Sequence, residues 1–507
     1  MNVAADLGTL NAALGQAGWN PRRLAVEVNR WLIAHGQPER RVHQTAPYAW
    51  VRQDSVPRTP LPEAVAVVVS EALGTIVTPA QLWPGRGLDH HTTMVGAAEQ
   101  EGTRTVDDVI ASLHELVASA GGTVRRVVAA ATARDVVDAV TAMTAAVASR
   151  PTVVGPADPC RTPLGDVLGA HVGRLSCLED QYGGGRLVRR YVAGELSTVL
   201  ALIRSGSREP LTRREALIAA ADLARLAGWS EFHADRLGLA QRYLLLSLRL
   251  CLTLGIAART ADILGMLAYL AAVYGHGAEA ITLATRALHE GRYGGPVLRA
   301  RLLARAASAA AAAGDEATFH RASDQARNLL SGHADTEQPA GLYGFGIQQA
   351  EAEIGHGLLL LSRVTATGTR RLLREAVRVL TPVCDLTARA NHPRSVMLHA
   401  AYLAQAQLAV GNLPEAVEAA RIVLRCLSRV QSVRCRRELL LLRDAFGRHA
   451  RTEPVAAFLP ELHAVLHDVD TTLSRRRAVA RAARARPAAG DPASACLVFP
   501  VAGGGRC

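Results

Sequence analysis

A short corner motif recurs along the C-terminal two thirds of the chain and limits the fold more than any other feature. It reads Gly-x-x-x-Glu-Ala and occurs from Gly275 to Ala280 and from Gly411 to Ala416. Glycine at such a corner, followed by small residues, is typical of two antiparallel helices in close contact. When weaker copies are included, successive copies of the motif are mostly separated by roughly 40 residues, which is within the range of helical repeat proteins. One hairpin cannot bury its own apolar face, so the motif predicts a stack of hairpins.

The composition favours an all-α fold. Hydrophobic residues make up 49% of the chain but aromatic residues only 4%, so alanine, leucine and valine form most of the apolar surface. Alanine and leucine are strong helix formers, and the small alanine side chain lets helix axes approach closely. Because 507 residues are too many for one ordinary core, we expect several structural units.

Residue types that several enzyme classes require are missing from the sequence. The chain contains no lysine, so neither a Walker-type phosphate loop nor Schiff-base chemistry is available. None of the eight cysteines forms a CxxC pair. Cys426 and Cys435, even with His449, lack both the spacing and the fourth ligand of a zinc site. We therefore expect no enzymatic activity, no cofactor and no metal.

The same survey predicts a cytoplasmic location. Most cysteines lie in apolar helical runs, which is typical of reduced, buried thiols. No run reaches the ~20 uncharged apolar residues of a membrane span, since Arg249 interrupts the most apolar one. Asp6 stands where the apolar part of a signal peptide would begin. We expect no membrane partner.

Changes in composition and periodicity divide the chain into four parts. They are a small helical domain (1–84), a linker with two helices (85–160), helical repeats (161–470) and an arginine-rich, largely disordered tail (471–507). The two linker helices are predicted at about 105–120 and 124–149. The tail is either solvated or a nonspecific electrostatic contact to nucleic acid.

Two further clusters have competing interpretations. Asp89, His90 and His91 could belong to a metal or phosphoesterase site, but no strand pattern accompanies them, so a flexible linker is favoured. The three glycines at 183–185 could form an anion-binding loop. They lack the preceding strand of a nucleotide fold, so a break between helices is favoured.

The corner motif is similar to that of the tetratricopeptide repeat, although these repeats are longer and lack its tryptophan and final proline. Ala227-Gly228-Trp229 and residues 178–185 resemble the start of the repeat domain in actinobacterial regulators of differentiation and antibiotic production. Ala17-Gly18-Trp19 and residues 48–52 resemble an Xre-type DNA-binding domain. The resemblance implies an all-α chain with a small N-terminal helix-turn-helix bundle and a C-terminal tetratricopeptide-like α-solenoid.

The resemblance also implies a role for individual residues of the N-terminal domain. A short helix from Thr45 would enter the major groove, with a scaffold helix packed behind it. The candidates for contacts to bases or nearby phosphates are Gln44, Thr45, Tyr48 and Arg52. The candidates for phosphate contacts are Arg40, Arg41 and Arg58. Leu24, Ala25 and Val28 would pack the scaffold helix, and Trp19 and Trp50 are expected in the core.

The function implied by the resemblance is that of a cytoplasmic transcriptional regulator. The N-terminal domain would bind DNA, and the concave face of the repeats would bind a peptide, a protein or a small signal. Homodimerisation is left open. The alternative is a scaffold or adaptor that does not bind DNA and whose N-terminal domain docks onto another protein. Affinity that falls steeply with salt would distinguish the DNA-binding protein from the adaptor.

Overall fold

The computed structural model is helical, and the residues that it describes include no strand. These residues are 9–34, 41–53, 55–57, 61–73, 77, 79–83, 105–121, 130–148, 163–205, 210–331, 345–365, 367–385 and 392–466. The all-α prediction is confirmed. Asp89, His90, His91 and the tail from 471 lie outside the described residues. No described helix is both long and apolar enough to cross a bilayer.

Short helices at the N-terminus pack around one apolar cluster. They are α1 (Leu10–Gln16), α2 (Pro21–Ala34), α3 (Ala46–Arg52), α4 (Leu61–Leu73) and α5 (Pro79–Leu82). The first turn of α2 is capped by the side-chain oxygen of Asn20, which accepts a hydrogen bond from the Arg23 N–H at 2.8 Å. Such a cap satisfies a backbone donor that the helix itself leaves unpaired.

The core of this bundle contains the residues expected from the sequence. Leu24, Ala25 and Val28 are fully buried on α2. Trp50 is 7% exposed, and Trp19 packs against the same cluster from its edge. Both tryptophans therefore belong to the core, as predicted.

Helical hairpins follow from residue 163. They are α8 (Pro163–Tyr182) with α9 (Arg186–Arg204), α10 (Pro210–His233) with α11 (Leu237–Thr253), α12 (Ala257–Val273) with α13 (Gly277–Glu290), α14 (Pro296–Ala313) with α15 (Glu316–Ser331), α16 (Ile347–Val364) with α17 (Thr369–Leu380), and α18 (Pro393–Val410) with α19 (Leu413–Leu427). A closing helix, α20 (Val433–Gly447), ends the series. The first helix of each hairpin from α10 to α18 is buried over most of its surface, whereas α13, α15, α17 and α19 are buried along one face.

The predicted corners contain glycines in the left-handed region. Gly275 has φ +83° and Gly411 has φ +92°, a conformation that costs other residues free energy. The N–H of His276 then bonds back to the Ala271 carbonyl at 2.9 Å and so closes the end of α12.

Small residues after each corner let the helices approach. Ala280 and Ala416 are fully buried. A Cβ on Gly277 would lie 2.7 Å from the Ala313 backbone, closer than real side chains come. The corner residues therefore act in packing.

The two helices predicted within residues 85–160 are α6 (Val106–Gly121) and α7 (Ala133–Ala148). The second helix was predicted from about 124, but it begins only at Ala133. The reason is a capping box: Thr132 N–H donates to the Asp135 carboxylate at 3.1 Å, and the Thr132 hydroxyl accepts from Asp135 N–H at 3.2 Å. Residues 122–129 lie outside the described part of the chain.

Helices α6 and α7 pack onto the outer helices α9, α11 and α13 and share one apolar cluster with them. A side-chain amide holds the segment before α7 in place. Gln241, on α11, accepts from the Ala131 N–H at 2.8 Å and donates to the Ala131 carbonyl at 3.0 Å. Gln241 thus satisfies both the N–H and the carbonyl of Ala131, as the backbone of a neighbouring strand would.

The first and last hairpins of the series meet. Helix α8 contacts α18, and α10 contacts α20. The predicted break at the three glycines 183–185 is confirmed, and it is also a contact point. Gln431 N–H donates to the Tyr182 carbonyl at 2.7 Å, and a Cβ on Gly185 would lie 2.7 Å from the Gln431 side chain. Glycine is required there because the two segments touch.

Contacts between Cα atoms divide the chain into two units, Met1–Arg448 and His449–Cys507. Within the second unit, residues 455–466 are helical.

Candidate functional sites

Helix α3 presents the predicted DNA-contacting residues on one exposed face. Pro47 and Trp50 point into the core, while Thr45, Tyr48 and Arg52 are exposed. Their spacing of three and four residues places them on the same side of a helix. Gln44, just before the helix, is exposed as well.

The segment leading into α3 is fixed to α2 by one side chain. Asn29 donates to the Val42 carbonyl at 2.8 Å and accepts from the Val42 N–H at 2.7 Å. The His43 ring nitrogen Nδ1 lies 2.8 Å from the Thr45 hydroxyl. Asn29 thereby fixes where α3 begins relative to the scaffold helix. Its role was not predicted, although an asparagine between apolar positions of α2 is a usable signal.

Of the three arginines predicted to contact phosphates, one lies among the described residues. Arg41 is exposed beside the Asn29 contact. Arg40 and Arg58 lie outside the described residues. On α3 itself, the Arg52 guanidinium lies over the Tyr48 ring at 5.6 Å, so the two side chains form one cationic, planar surface.

A second site lies where the inner helices α10, α12, α14, α16, α18 and α20 bring polar side chains together. Arg301 and Arg225 approach the Asp262 carboxylate at 3.1 and 3.8 Å. Arg305 pairs with Glu353 at 3.3 Å, both only 4% exposed. These five side chains are thus buried against one another. Together with the rings and histidines packed on them, we call them the interior.

Aromatic rings line the same interior. The Arg305 guanidinium stacks on the Tyr269 ring at 4.1 Å, and His356 packs against Tyr402 at 4.1 Å between ring centroids. His356 Nε2 lies 3.2 Å from His399 Nδ1. Burial, together with the nearby charges of Arg434 and Arg305, lowers the pKa of His356 well below its ordinary value. His356 is therefore neutral at physiological pH.

Ion pairs between distant parts of the chain join α8 to α18. Asp180, on α8, accepts hydrogen bonds from Arg394 at 2.6 Å and from the Ser395 hydroxyl at 2.8 Å, and it contacts His392. Arg394 also approaches Glu179 at 3.5 Å. We call these five residues the clasp.

The two adjacent carboxyl groups of the clasp have opposite pKa shifts. Burial raises the pKa of Glu179 to about 7, although Arg394 opposes the rise. Burial would also raise the pKa of Asp180, but Arg394 and the hydrogen bonds from His392 and Ser395 outweigh it and lower the pKa to about 2. The clasp therefore contains one fixed negative charge and one carboxyl group that titrates near neutrality.

None of the clasp or interior residues was predicted as a site. Their sequence signal is an arginine or acidic residue on the inner face of an apolar helix, such as Arg225 and Asp262. Buried charges of this kind are almost always paired, so the pattern predicts partners without identifying them.

Two of the buried cysteines have thiols with raised pKa values. Burial raises the pKa of the Cys251 thiol to about 12 and that of Cys426 to about 11, so neither is a thiolate at neutral pH. The described part of the chain holds no group of three or more histidine, cysteine or acidic side chains suited to a metal ion.

Comparison with known families gives one match at the N-terminus. Residues 10–83 match the family described as the SP15 N-terminal domain. The match covers α1 to α5 and the tryptophan that follows, and so coincides with the apolar cluster of the N-terminal bundle. No curated protein matches the chain.

Proposed function

We propose that this protein is a cytoplasmic transcriptional regulator that binds DNA through α3 and a ligand through its helical repeats. The observation that carries the proposal is the exposed face of α3. Thr45, Tyr48 and Arg52 project from a helix whose opposite face, with Pro47 and Trp50, is anchored in the core. A helix held in this way can enter the major groove as a rigid unit.

The residue types on this face suit contacts to DNA. Arginine binds guanine or phosphate through two parallel hydrogen bonds, and hydroxyl groups bond to either bases or phosphates. The Asn29 contact supports the same role, because it fixes the segment that contains Arg41 and Gln44 in front of α3. Small errors in the position of a reading helix would abolish base contacts.

In the repeats, a ligand would act by favouring one arrangement of the hairpins. It can shift the equilibrium only if it binds the two arrangements with different affinity. The clasp is suited to such a shift because it joins α8 to α18, two helices that would move apart if the first and last hairpins separated.

The first experiment is a genome-wide DNA pull-down with the tagged full-length protein and with the triple variant Thr45→Ala, Tyr48→Ala, Arg52→Ala. Discrete enriched sites that disappear in the variant are the expected result. The variant keeps Pro47 and Trp50, so its circular dichroism should match that of the wild type.

A matched control uses the same residue types elsewhere on the surface. Arg292 lies over the ring of Tyr293 at 4.6 Å, and Tyr293 is 88% exposed. The variant Arg292→Ala, Tyr293→Ala removes a comparable exposed pair from the repeats and should retain every enriched site. Loss of sites in this control would show that α3 is not specifically responsible.

The alternative is a helical-repeat scaffold or adaptor that does not bind DNA. Tyr48, which is 37% exposed on α3, could equally contact a protein. Absence of enrichment above background in the wild type would reject DNA binding in favour of the adaptor. Binding to an enriched fragment should also weaken steeply with salt, since phosphate contacts release counterions.

A further inference from the structure

Arg434, on α20, is a buried arginine without an acidic partner among the described residues. It is 6% exposed. One terminal nitrogen donates to the Tyr269 hydroxyl at 3.1 Å and to the Tyr402 hydroxyl at 3.3 Å. Its guanidinium stacks on the Phe232 ring at 4.6 Å. These neutral groups do not cancel its charge, and an unpaired buried cation is costly.

The other inner arginines differ from Arg434 in having acidic partners. Arg225 and Arg301 share Asp262, Arg305 pairs with Glu353, and Arg394 pairs with Asp180. Glu438, one turn beyond Arg434 on α20, accepts from Gln405 at 2.8 Å instead. With Glu438 included, five carboxyl groups match these five arginines, but none of the five bonds to Arg434. An anion beside Arg434 would therefore meet a cation whose hydrogen-bond and ring partners are all neutral.

Unused hydrogen-bond donors belong to residues that pack on the same aromatic rings as Arg434. His233 Nε2 accepts from Arg394 at 3.2 Å, which places the proton of the neutral ring on Nδ1, and this atom is buried without a partner. Burial, together with Arg394, Arg434 and Arg305, lowers the pKa of His233 well below its ordinary value. Arg305 Nε is likewise buried and unpartnered. Glu353, which pairs with Arg305, also has an unpartnered oxygen, so the Arg305 donor has an acceptor available close by. Buried donors normally have partners, and His233 Nδ1 is therefore the donor that indicates a missing acceptor.

We propose that the interior beside Arg434 binds a small organic anion through its carboxylate or phosphate group. Arg434 would supply the charge, His233 and Arg305 further N–H donors, and the Phe232 and Tyr269 rings an aromatic wall for the organic part. Such a combination of apolar walls with a few polar groups is typical of ligand sites. The inference rests on the proposed ligand-binding role of the repeats and not on DNA binding.

The position of this site links it to the contact between the first and last hairpins. Ser432, two residues before Arg434, approaches the His233 carbonyl at 3.5 Å. Gln431 bonds to the Tyr182 carbonyl beside it. An anion bound at Arg434 would therefore lie next to residues that join the last part of the series to the first.

The test is calorimetric titration of the full-length protein with benzoate and, separately, with phenyl phosphate. Titration with chloride at equal ionic strength is the control for each. Saturable binding of at least one of the two, at one site per chain, is the expected result. The arm that binds more tightly identifies the group as a carboxylate or a phosphate. Arg434→Met should weaken binding about ten-fold or more, the effect of removing a charged hydrogen bond.

The control for Arg434→Met is Arg437→Met, on the same helix. Arg437 pairs with Asp235 at 3.4 Å and its side chain is 56% exposed, so its loss should leave the affinity unchanged. A second test variant, Tyr402→Phe, keeps the ring but removes one acceptor of Arg434. Because the guanidinium loses a competing acceptor, the variant should bind the anion about three-fold more tightly.

Absence of saturable binding by both probes would overturn the proposal and indicate that water satisfies the interior donors. Equal affinity in wild type and Arg434→Met would overturn it as well. If Arg434→Met does not fold, unchanged affinity in Tyr402→Phe is decisive against it. The titrations contain no DNA, so their outcome is independent of the pull-down.

Discussion

Replacing Asp180 by asparagine tests whether the clasp stabilises the closed series of hairpins. The carboxylate accepts bonds from Arg394 and Ser395, and its pKa falls from the ordinary 3.8 to about 2. A shift of this size corresponds to about 2 kcal/mol of stability. Because the folded-state pKa is lowered, this stability is present above about pH 4 and disappears as the pH falls towards about 2.

The loss in Asp180→Asn is limited by the neighbouring carboxyl group. Glu179 lies 3.5 Å from Arg394, and the charge of Asp180 contributes to its raised pKa. With that charge removed, Glu179 ionises more readily and takes over the pairing, so we expect a loss of about 2 kcal/mol near neutral pH. Asp180→Asn with Glu179→Gln leaves Arg394 without either partner, and the loss should reach about 3–5 kcal/mol.

Urea unfolding followed by far-ultraviolet circular dichroism measures both losses. The control is Glu418→Gln, which breaks an exposed ion pair with Arg421 at 2.7 Å and should cost less than about 1 kcal/mol. The reasoning is refuted if the double variant loses no more stability than this control, since a buried charge cannot be left unpaired at so small a cost.

Three further outcomes are expected. Wild type should lose about 3 kcal/mol of unfolding free energy between about pH 4.5 and 7, because a raised folded-state pKa gives stability that is lost as pH rises. Glu179→Gln should remove this loss. Subtracting the unfolding free energies of the two proteins at each pH cancels the contribution of histidines, which titrate in both. Gly411→Ala should lower stability by about 1 kcal/mol through its positive φ, measured by urea unfolding against Gly173→Ala in open helix surface. Gln241→Ala should leave Ala131 unpaired and cost about 1–3 kcal/mol, with faster hydrogen exchange in α6 and α7; unchanged exchange would contradict this.

Local features of the fold could be predicted because their cause is local. Gly275 and Gly411 mark corners through backbone conformation, and Pro47 with Trp50 fixes which face of α3 is buried. The start of α7 was predicted too early because the capping box at Thr132 was missed. The signal for each of these features lies in residues that are neighbours in sequence, including the one that was missed.

The interior and the clasp could not be predicted because their partners are distant in sequence. Asp180 meets Arg394 across 214 positions, and nothing in the periodicity of α8 or α18 specifies that contact. The corner motif predicted that hairpins stack, but stacking alone does not determine how tightly they curve. Whether the last hairpin reaches the first depends on small angles summed over every step.

The meeting of the first and last hairpins changes how such an array can evolve. In a linear repeat protein each unit contacts only its neighbours, so units can be gained, lost or frayed at either end with local effect. Here the contact between Tyr182 and Gln431 requires a fixed number of hairpins between them. Insertion or deletion of one hairpin would misplace the clasp and the interior together. The contact therefore constrains the length of the array as a whole.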